Sequence, residues 1–343
     1  MNILVLEKKV TFFNIIGIDT NRKGINFHFI HNINFCNLLS YLKDIDLVIS
    51  ISYDNQSYNY VILEAKKRNI LTGLIIDGPL EWSNTFNNVK LKIKGLNKLY
   101  QPIIHDIVYC ISTEQLDILK SWNPNKQFYT YKNYRVLINE ENKNIHSEFD
   151  FLITTATTPY FNEQEKEKLI FLLESIIKYC DEKNISYQTR FFDIELKKLS
   201  KNNETSLSLI EHIQKSKCVL CTPSSVILTS MALKKPTAQL IYRDSPLYYQ
   251  SGWMIFSINN LNNTFNNMLD CDIDRMNFQD FEVKKNISTE DISFQMNENI
   301  DKLANDEINK INTIIFENNL LKAILESRWN INIKYFLKKL LKK

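Results

Sequence analysis

Short apolar runs alternate along the chain with segments whose apolar residues recur every three or four positions, the pattern of strands interleaved with helices. In the first half it predicts strands over Asn2–Leu6, Ile25–His31, Leu47–Tyr53, Leu71–Ile76 and Ile107–Ser112. Helices are expected over Phe35–Leu42, Tyr60–Arg68, Val89–Leu99 and Glu114–Trp122, and the chain continues through Gln127–Tyr131 and Arg135–Leu137. Asn139–Ser147 is polar and aperiodic, which marks a linker. A second series then begins. Strands are predicted at Phe149–Thr154, Ile185–Phe192, Lys217–Cys221, Thr237–Tyr242 and Trp253–Ile258. Between them lie helices at Glu163–Cys180, with a stripe at Leu169, Leu172, Leu173, Ile176 and Ile177, at Ser206–Gln214 and at Val226–Leu233. The Asn-rich stretch Asn259–Asn267 reads as loop, and Glu298–Leu325 as helix. Strands and helices in alternation imply an α/β layered protein with mostly parallel sheets. Two domains are expected, 1–138 and 149–325, joined by 139–148 and followed by a tail, 326–343.

Composition narrows the classes. A chain of 343 residues with 44% hydrophobic and 24% charged residues is long enough and globular enough for two cores. A net charge of +3 gives no polycation, so nucleic acid is not an expected partner. The start, MNILVLEKK, reads as a strand and lacks the features of a signal peptide, and no run reaches the roughly 18 apolar residues of a spanning helix. A cytoplasmic location is expected. Six cysteines suit buried thiols in a reducing compartment. Cys218-x-x-Cys221 invites a redox or zinc reading, but inside a strand the two thiols point to opposite faces, and a second Cys pair or a His pair is missing. With six glycines and neither GxGxxG nor GxxxxGK[ST], the usual dinucleotide and P-loop cradles are absent. No ligand-spaced His/Asp cluster suggests a built-in metal; Mg2+ arriving with a phosphorylated donor is the metal left open.

Ligands of parallel sheets gather at the carboxyl ends of the strands. One such end is Thr222-Pro223-Ser224-Ser225, where hydroxyls and helix-start N–H groups converge on a spot suited to phosphate; alternatively the serines only cap the helix. Another is Leu74-Ile75-Ile76-Asp77-Gly78-Pro79, which places an acid after an apolar strand and then turns the chain; a plain Asp-Gly turn is the alternative. Glu81 and Trp82 follow closely, a second carboxylate and a ring for sugar stacking, or else loop surface and core. Arg190 and Arg243 each end a predicted strand. A guanidinium forks onto phosphate oxygens, but either could instead pair with an acid, Asp193 for Arg190 and Asp244 or another for Arg243.

Pro223-Ser224-Ser225-Val226, the short helix ending in Ala232-Leu233-Lys234-Lys235-Pro236 and the strand after it resemble the donor half of two-domain GT-B glycosyltransferases. In look the chain is similar to bacterial capsule (surface-polysaccharide, O-antigen), sialyl, Kdo and glycerophosphate transferases. The resemblance implies a GT-B fold, two Rossmann-like domains with a cleft between them. It also implies a nucleotide-sugar donor with its phosphates on Ser224 and Ser225. Thr155, Thr157 and Thr158 would face that donor, or form an ordinary Thr/Pro loop. Asp77 matches the acidic-Gly motif whose acid is the general base, and Gly78, Glu81 and Trp82 would meet the acceptor, a lipid-linked glycan. Ile76 stands where those enzymes often carry another acid, and their His-Pro pair is absent here, so Arg190 would serve the phosphate. That absence leaves room for phosphoribosyl diphosphate as donor. The tail, RWNINIKYFLKKLLKK, is a basic amphipathic segment suited to an anionic inner-membrane face or to docking on its own domain. A non-catalytic sugar- or nucleotide-binding protein with the same shape is the reading from another class.

Overall fold

The computed structural model describes residues 1–17, 24–33, 37–87, 99–136, 146–243 and 249–296. The first unit runs β1 (Asn2–Leu6), α1 (Lys9–Ile16), β2 (Asn26–Phe29), α2 (Leu38–Tyr41), β3 (Leu47–Ser50), α3 (Gln56–Lys67), β4 (Leu71–Ile75), β5 (Ile107–Cys110), α4 (Thr113–Trp122) and β6 (Gln127–Thr130). Its strands pair in parallel in the order β2-β1-β3-β4-β5-β6. The central strands are buried on both faces, which is why β3 and β5 are unbroken apolar runs apart from Ser50.

The second unit contains β7 (Phe149–Thr154), α5 (Glu163–Lys183), β8 (Tyr187–Arg190), α6 (Ile194–Lys197), α7 (Leu209–Lys215), β9 (Ser216–Cys221), α8 (Val226–Ala232), β10 (Thr237–Leu240), β11 (Trp253–Ile255), α9 (Leu261–Leu269) and α10 (Ile273–Asn286). Its sheet is also parallel, in the order β11-β10-β9-β7-β8. The stripe expected on α5 is buried, and the helix is bounded by an Asn162 side chain accepting from the Glu165 N–H and by Asn184 in the left-handed region, φ 53°. In both sheets the order reverses beside the first strand, opening a crevice at β1/β3 and at β7/β9 where ligands lodge in this architecture.

Cys218 and Cys221 lie in β9 and enter two different core clusters, on opposite sides of the strand. Burial pushes both thiols up, so they behave as small hydrophobes and not as nucleophiles or ligands. The loop expected at Asn259–Asn267 is instead a short 3-10 turn, Ile258–Asn260, leading into α9. Leu261, Phe265 and Met268 are buried at helical spacing, and the intervening asparagines face outward. Helices α1, α6 and α10 are additions to the predicted elements.

After α10 the chain crosses back to the first unit. The Ser288 N–H donates to the Ile111 carbonyl at 2.9 Å, the Thr130 hydroxyl to Glu290 at 3.0 Å, and the Tyr134 hydroxyl to Asp291 at 3.1 Å. Ile292 and Phe294 are buried, and the Phe294 ring meets Phe27 and Tyr109 edge-on. Part of the first core is thus supplied by the far end of the described chain. The expected helices at Val89–Leu99 and Glu298–Leu325, most of the linker at 139–148, Cys36, Asp244 and the basic tail lie outside the described residues, apart from Leu99 and the linker's last three residues.

Candidate functional site

The β7/β9 crevice collects hydroxyls. Thr154 ends β7, Thr155 follows it and Thr222 follows β9; the Thr222 N–H donates to the Thr154 carbonyl at 3.2 Å, and the Ala156 N–H donates to the Thr222 hydroxyl at 2.8 Å. These bonds bind the two loops into one surface. Thr155 is 3% exposed, and its Oγ1 is buried without a hydrogen-bond partner. Ser225 has helical angles, φ −58° and ψ −18°, and makes no side-chain cap bond. Ser224 Oγ accepts from the Val226 N–H at 3.4 Å, a weak contact. Neither serine is spent on capping α8 in the ordinary way. The Tyr249 hydroxyl donates to the Ser224 carbonyl at 2.8 Å and fixes the turn. Thr157 and Thr158 are exposed on the rim.

The two arginines are engaged elsewhere. Arg190 Nη1 donates to the Leu207 carbonyl at 2.8 Å and lies 3.1 Å from His212 Nδ1, while the guanidinium stacks over Phe192. With Nδ1 accepting, His212 carries its proton on Nε2, which is buried and unpartnered; burial first, then Arg190, lowers its pKa. Arg243 has a side chain only 2% exposed. Nη2 lies 2.5 Å from Glu81 Oε1, Nη1 lies 3.7 Å from Glu165 and donates to the Pro159 carbonyl at 3.0 Å, and the group stacks on Phe161 and Tyr242. Of the two acids that Arg243 meets, Glu81 comes from the other unit and Glu165 from its own.

Across the cleft, Asp77 follows β4. Its carboxylate is about half exposed and accepts from Arg135 Nη1 at 2.8 Å. The Asp77 carbonyl accepts from Asn133 at 3.0 Å, the Ile76 carbonyl from the Tyr131 hydroxyl at 2.9 Å, and the Gly78 carbonyl from Gln115 at 2.8 Å. The loop is held by residues beyond β6 and on α4. Gly78 is outside the left-handed region and a Cβ there would meet nothing within 4 Å, so this turn does not need glycine. Glu81 is enclosed. Burial, opposed by Arg243 and reinforced by Glu165, raises its pKa to about 7. Trp82, 37% exposed, stacks on Phe86 with centroids 4.9 Å apart.

Pro79 and Leu80 of this loop share a narrow gap with Leu228 of α8 and with Tyr249, whose hydroxyl holds the Ser224 turn. The Asp77 loop and the Ser224 turn are thus neighbours on opposite walls of one cleft, joined at its edge by Glu81 and Arg243. Beside Arg243, at the carboxyl ends of β10 and β11, a pocket of about 500 Å³ is lined by Lys168, Phe171, Tyr242, Phe256 and Ser257 among others. Among the described residues, no group of three or more His, Cys, Asp or Glu gathers as a metal site. Arg135, Glu165, His212 and Tyr249 were not singled out from the sequence; the partners that bring them to the site lie far along the chain and leave no local pattern.

No protein-family model and no curated protein matches the chain. Solved structures do. A protein from Listeria monocytogenes, provisionally a UDP-N-acetylglucosamine 2-epimerase, superposes with a TM-score of 0.57 at 10% identity, over 83% of this chain and 92% of that one. The Methanocaldococcus jannaschii UDP-GlcNAc 2-epimerase in complex with UDP-GlcNAc and UDP gives 0.50 at 14% identity, over 78% and 92%. TarM gives 0.45 at 12% identity, over 81% of this chain and 57% of that one. The first two likenesses, with the two parallel sheets, establish a GT-B-type fold. No helix among the described residues is long and apolar enough to cross a membrane.

Proposed function

We propose that the chain is a glycosyltransferase that moves a sugar from a nucleotide-sugar donor to a glycan hydroxyl. The observation that carries this reading is the unpartnered, buried Thr155 hydroxyl at the β7/β9 crevice, beside two serines whose side chains leave the helix cap unmade. A buried hydroxyl without a partner costs free energy that a ligand acceptor atom would recover. Phosphate oxygens are such acceptors, and Thr155, Ser224 and Ser225 would hold them, with Thr157 and Thr158 at the rim. Arg190 and Arg243 would join only by giving up the contacts described above. Donor-borne Mg2+ could share the phosphate charge.

Asp77 is the proposed base. Released from Arg135, its carboxylate takes the acceptor hydroxyl proton as the oxygen bonds to the anomeric carbon. The bond from that carbon to the donor phosphate oxygen breaks with its electron pair, which leaves on the nucleotide and inverts the centre. Gly78 and the exposed edge of Trp82 would flank the acceptor, whereas Glu81, expected there from the sequence, is turned into the pair with Arg243. A lipid-linked acceptor at an anionic membrane face, approached by the 326–343 tail, completes the reading as surface-polysaccharide synthesis.

A second reading is sugar epimerisation, favoured by the likeness to UDP-GlcNAc 2-epimerases along nearly their full length. Thermal shift against CMP-, UDP-, GDP- and CDP-linked donors and phosphoribosyl diphosphate with magnesium identifies the donor through mass action. The bound donor is then incubated with and without glycan acceptor. Transfer that falls at least 100-fold in a folded Asp77→Asn variant supports the proposal. Conversion of UDP-GlcNAc to its 2-epimer without acceptor favours the second reading, stabilisation by phosphoribosyl diphosphate alone points to pentosyl transfer, and unaltered turnover in D77N overturns Asp77 as base.

A further inference from the structure

Three charges are buried together where the two units touch: Glu81 from the loop after β4, Arg243 after β10 and Glu165 on α5. Glu165 belongs to the Arg243 side and is fixed by accepting from the Phe161 N–H at 2.9 Å. Glu81 comes from the other wall of the cleft, four residues after Asp77. Its Oε1 touches the guanidinium at 2.5 Å without a directed hydrogen bond, and Arg243 Nε is also unpartnered. Two carboxylates thus compete for one cation in a dry place, and a poorly aligned buried ion pair recovers little of its desolvation cost. Tyr242 and Tyr249 are the other titratable groups facing Glu81, and burial keeps both neutral.

We propose that Glu81 and Arg243 are positioning residues that clamp the Asp77 loop onto the opposite unit, and that a proton taken up by Glu81 closes the clamp. The clamp stands on geometry; its importance for turnover rests on the function proposed above. The sign follows from the charge excess. Enclosed Glu81 holds its proton up to about pH 7, whereas in an open cleft a solvated glutamate has a pKa of about 4.3. Closure therefore takes up a proton, is most favourable at low pH and weakens as pH rises through about 7. Between pH 5.5 and pH 8 the closing equilibrium should fall on the order of 30-fold.

Small-angle X-ray scattering of the whole chain from pH 5.5 to 8 reads the clamp directly. The expected result is expansion as pH rises through about 7 in the native protein, constant compactness in Glu81→Gln, and a smaller expansion in Glu165→Gln, where ionised Glu81 no longer meets a second negative charge and the closed form persists to higher pH. An unaltered pH response in E81Q overturns the clamp, as does an expansion in E165Q equal to that of the native protein; the latter decides the matter if E81Q does not fold. The positioning role is read from the pH profile of transfer, whose kcat/KM limb near 7 should vanish in E81Q and shift in E165Q. A profile unchanged in both variants overturns that role. If no donor supports transfer at all, the function proposal fails while scattering still decides the clamp.

Discussion

Thr155→Val should make the protein more stable and a poorer binder at once. Valine keeps the shape of threonine and removes the hydroxyl. In the ligand-free molecule that hydroxyl is 3% accessible as a residue and has no partner, so its desolvation is uncompensated. An unsatisfied buried polar group costs about 1–3 kcal/mol, and the variant should gain about 1–2 kcal/mol of that. For a unit of this size such a gain raises Tm by roughly 3–6 °C. Donor binding should change in the opposite direction, because one hydrogen bond worth about 1–1.5 kcal/mol is lost, about a tenfold rise in Kd. Urea denaturation supplies the first number and titration calorimetry with the nucleotide-sugar panel the second. The opposed signs matter, since ordinary packing damage would lower both stability and affinity. A variant less stable than the native protein, or one that binds donor with unchanged affinity, would refute the reasoning.

Two further substitutions test other parts of the account. Ser225→Ala should change stability by less than about 0.5 kcal/mol, against the roughly 1 kcal/mol usual for losing an N-cap, since no cap bond is present; donor affinity should nevertheless fall several-fold in calorimetry. Phe294→Ala should cost about 3–4 kcal/mol by chemical denaturation, because the ring is 8% exposed and packs edge-on against Phe27 and Tyr109. Hydrogen exchange resolves the two units, and the loss of protection should be larger at the amides of β1 and β5 than at those of β8 and β10. Equal losses in both would contradict the assignment of residue 294 to the first core.

Strand order aside, much of the fold is legible in the chain because strands buried on both faces are written as short apolar runs; Asn2–Leu6 and Phe149–Thr154 have the same bounds in pattern and structure. The helices that escape do so for physical reasons. In α10 the buried positions are Gln279, Glu282 and Asn286, and it packs through hydrogen bonds such as Thr237 N–H to Gln279 and Gln250 N–H to Glu282. Hydrophobic periodicity cannot register such a helix. In α9 the apolar stripe is present but diluted by four asparagines. The candidate site divides similarly. Its walls follow from acids and hydroxyls placed after apolar runs, whereas the partner of Asp77 is Arg135, 58 residues away, and that of Arg243 is a glutamate on the other wall. Pairings of that kind are decided by how the two units sit against each other, which no local stretch records.

The return of residues 287–296 to the first sheet also bears on how the molecule is made. As the chain is synthesised, β1 to β6 emerge first, yet the face formed by Phe27 and Tyr109 stays uncovered until Phe294 has been added. The second unit, whose strands and covering helices are contiguous from β7 to α10, has its parts in hand earlier. The usual order, in which the leading domain folds before the trailing one is complete, is therefore reversed for the final step. The half that is born first is the last to be finished: until residues 287–296 are free to pack, the first unit exposes an aromatic face that chaperones could cover.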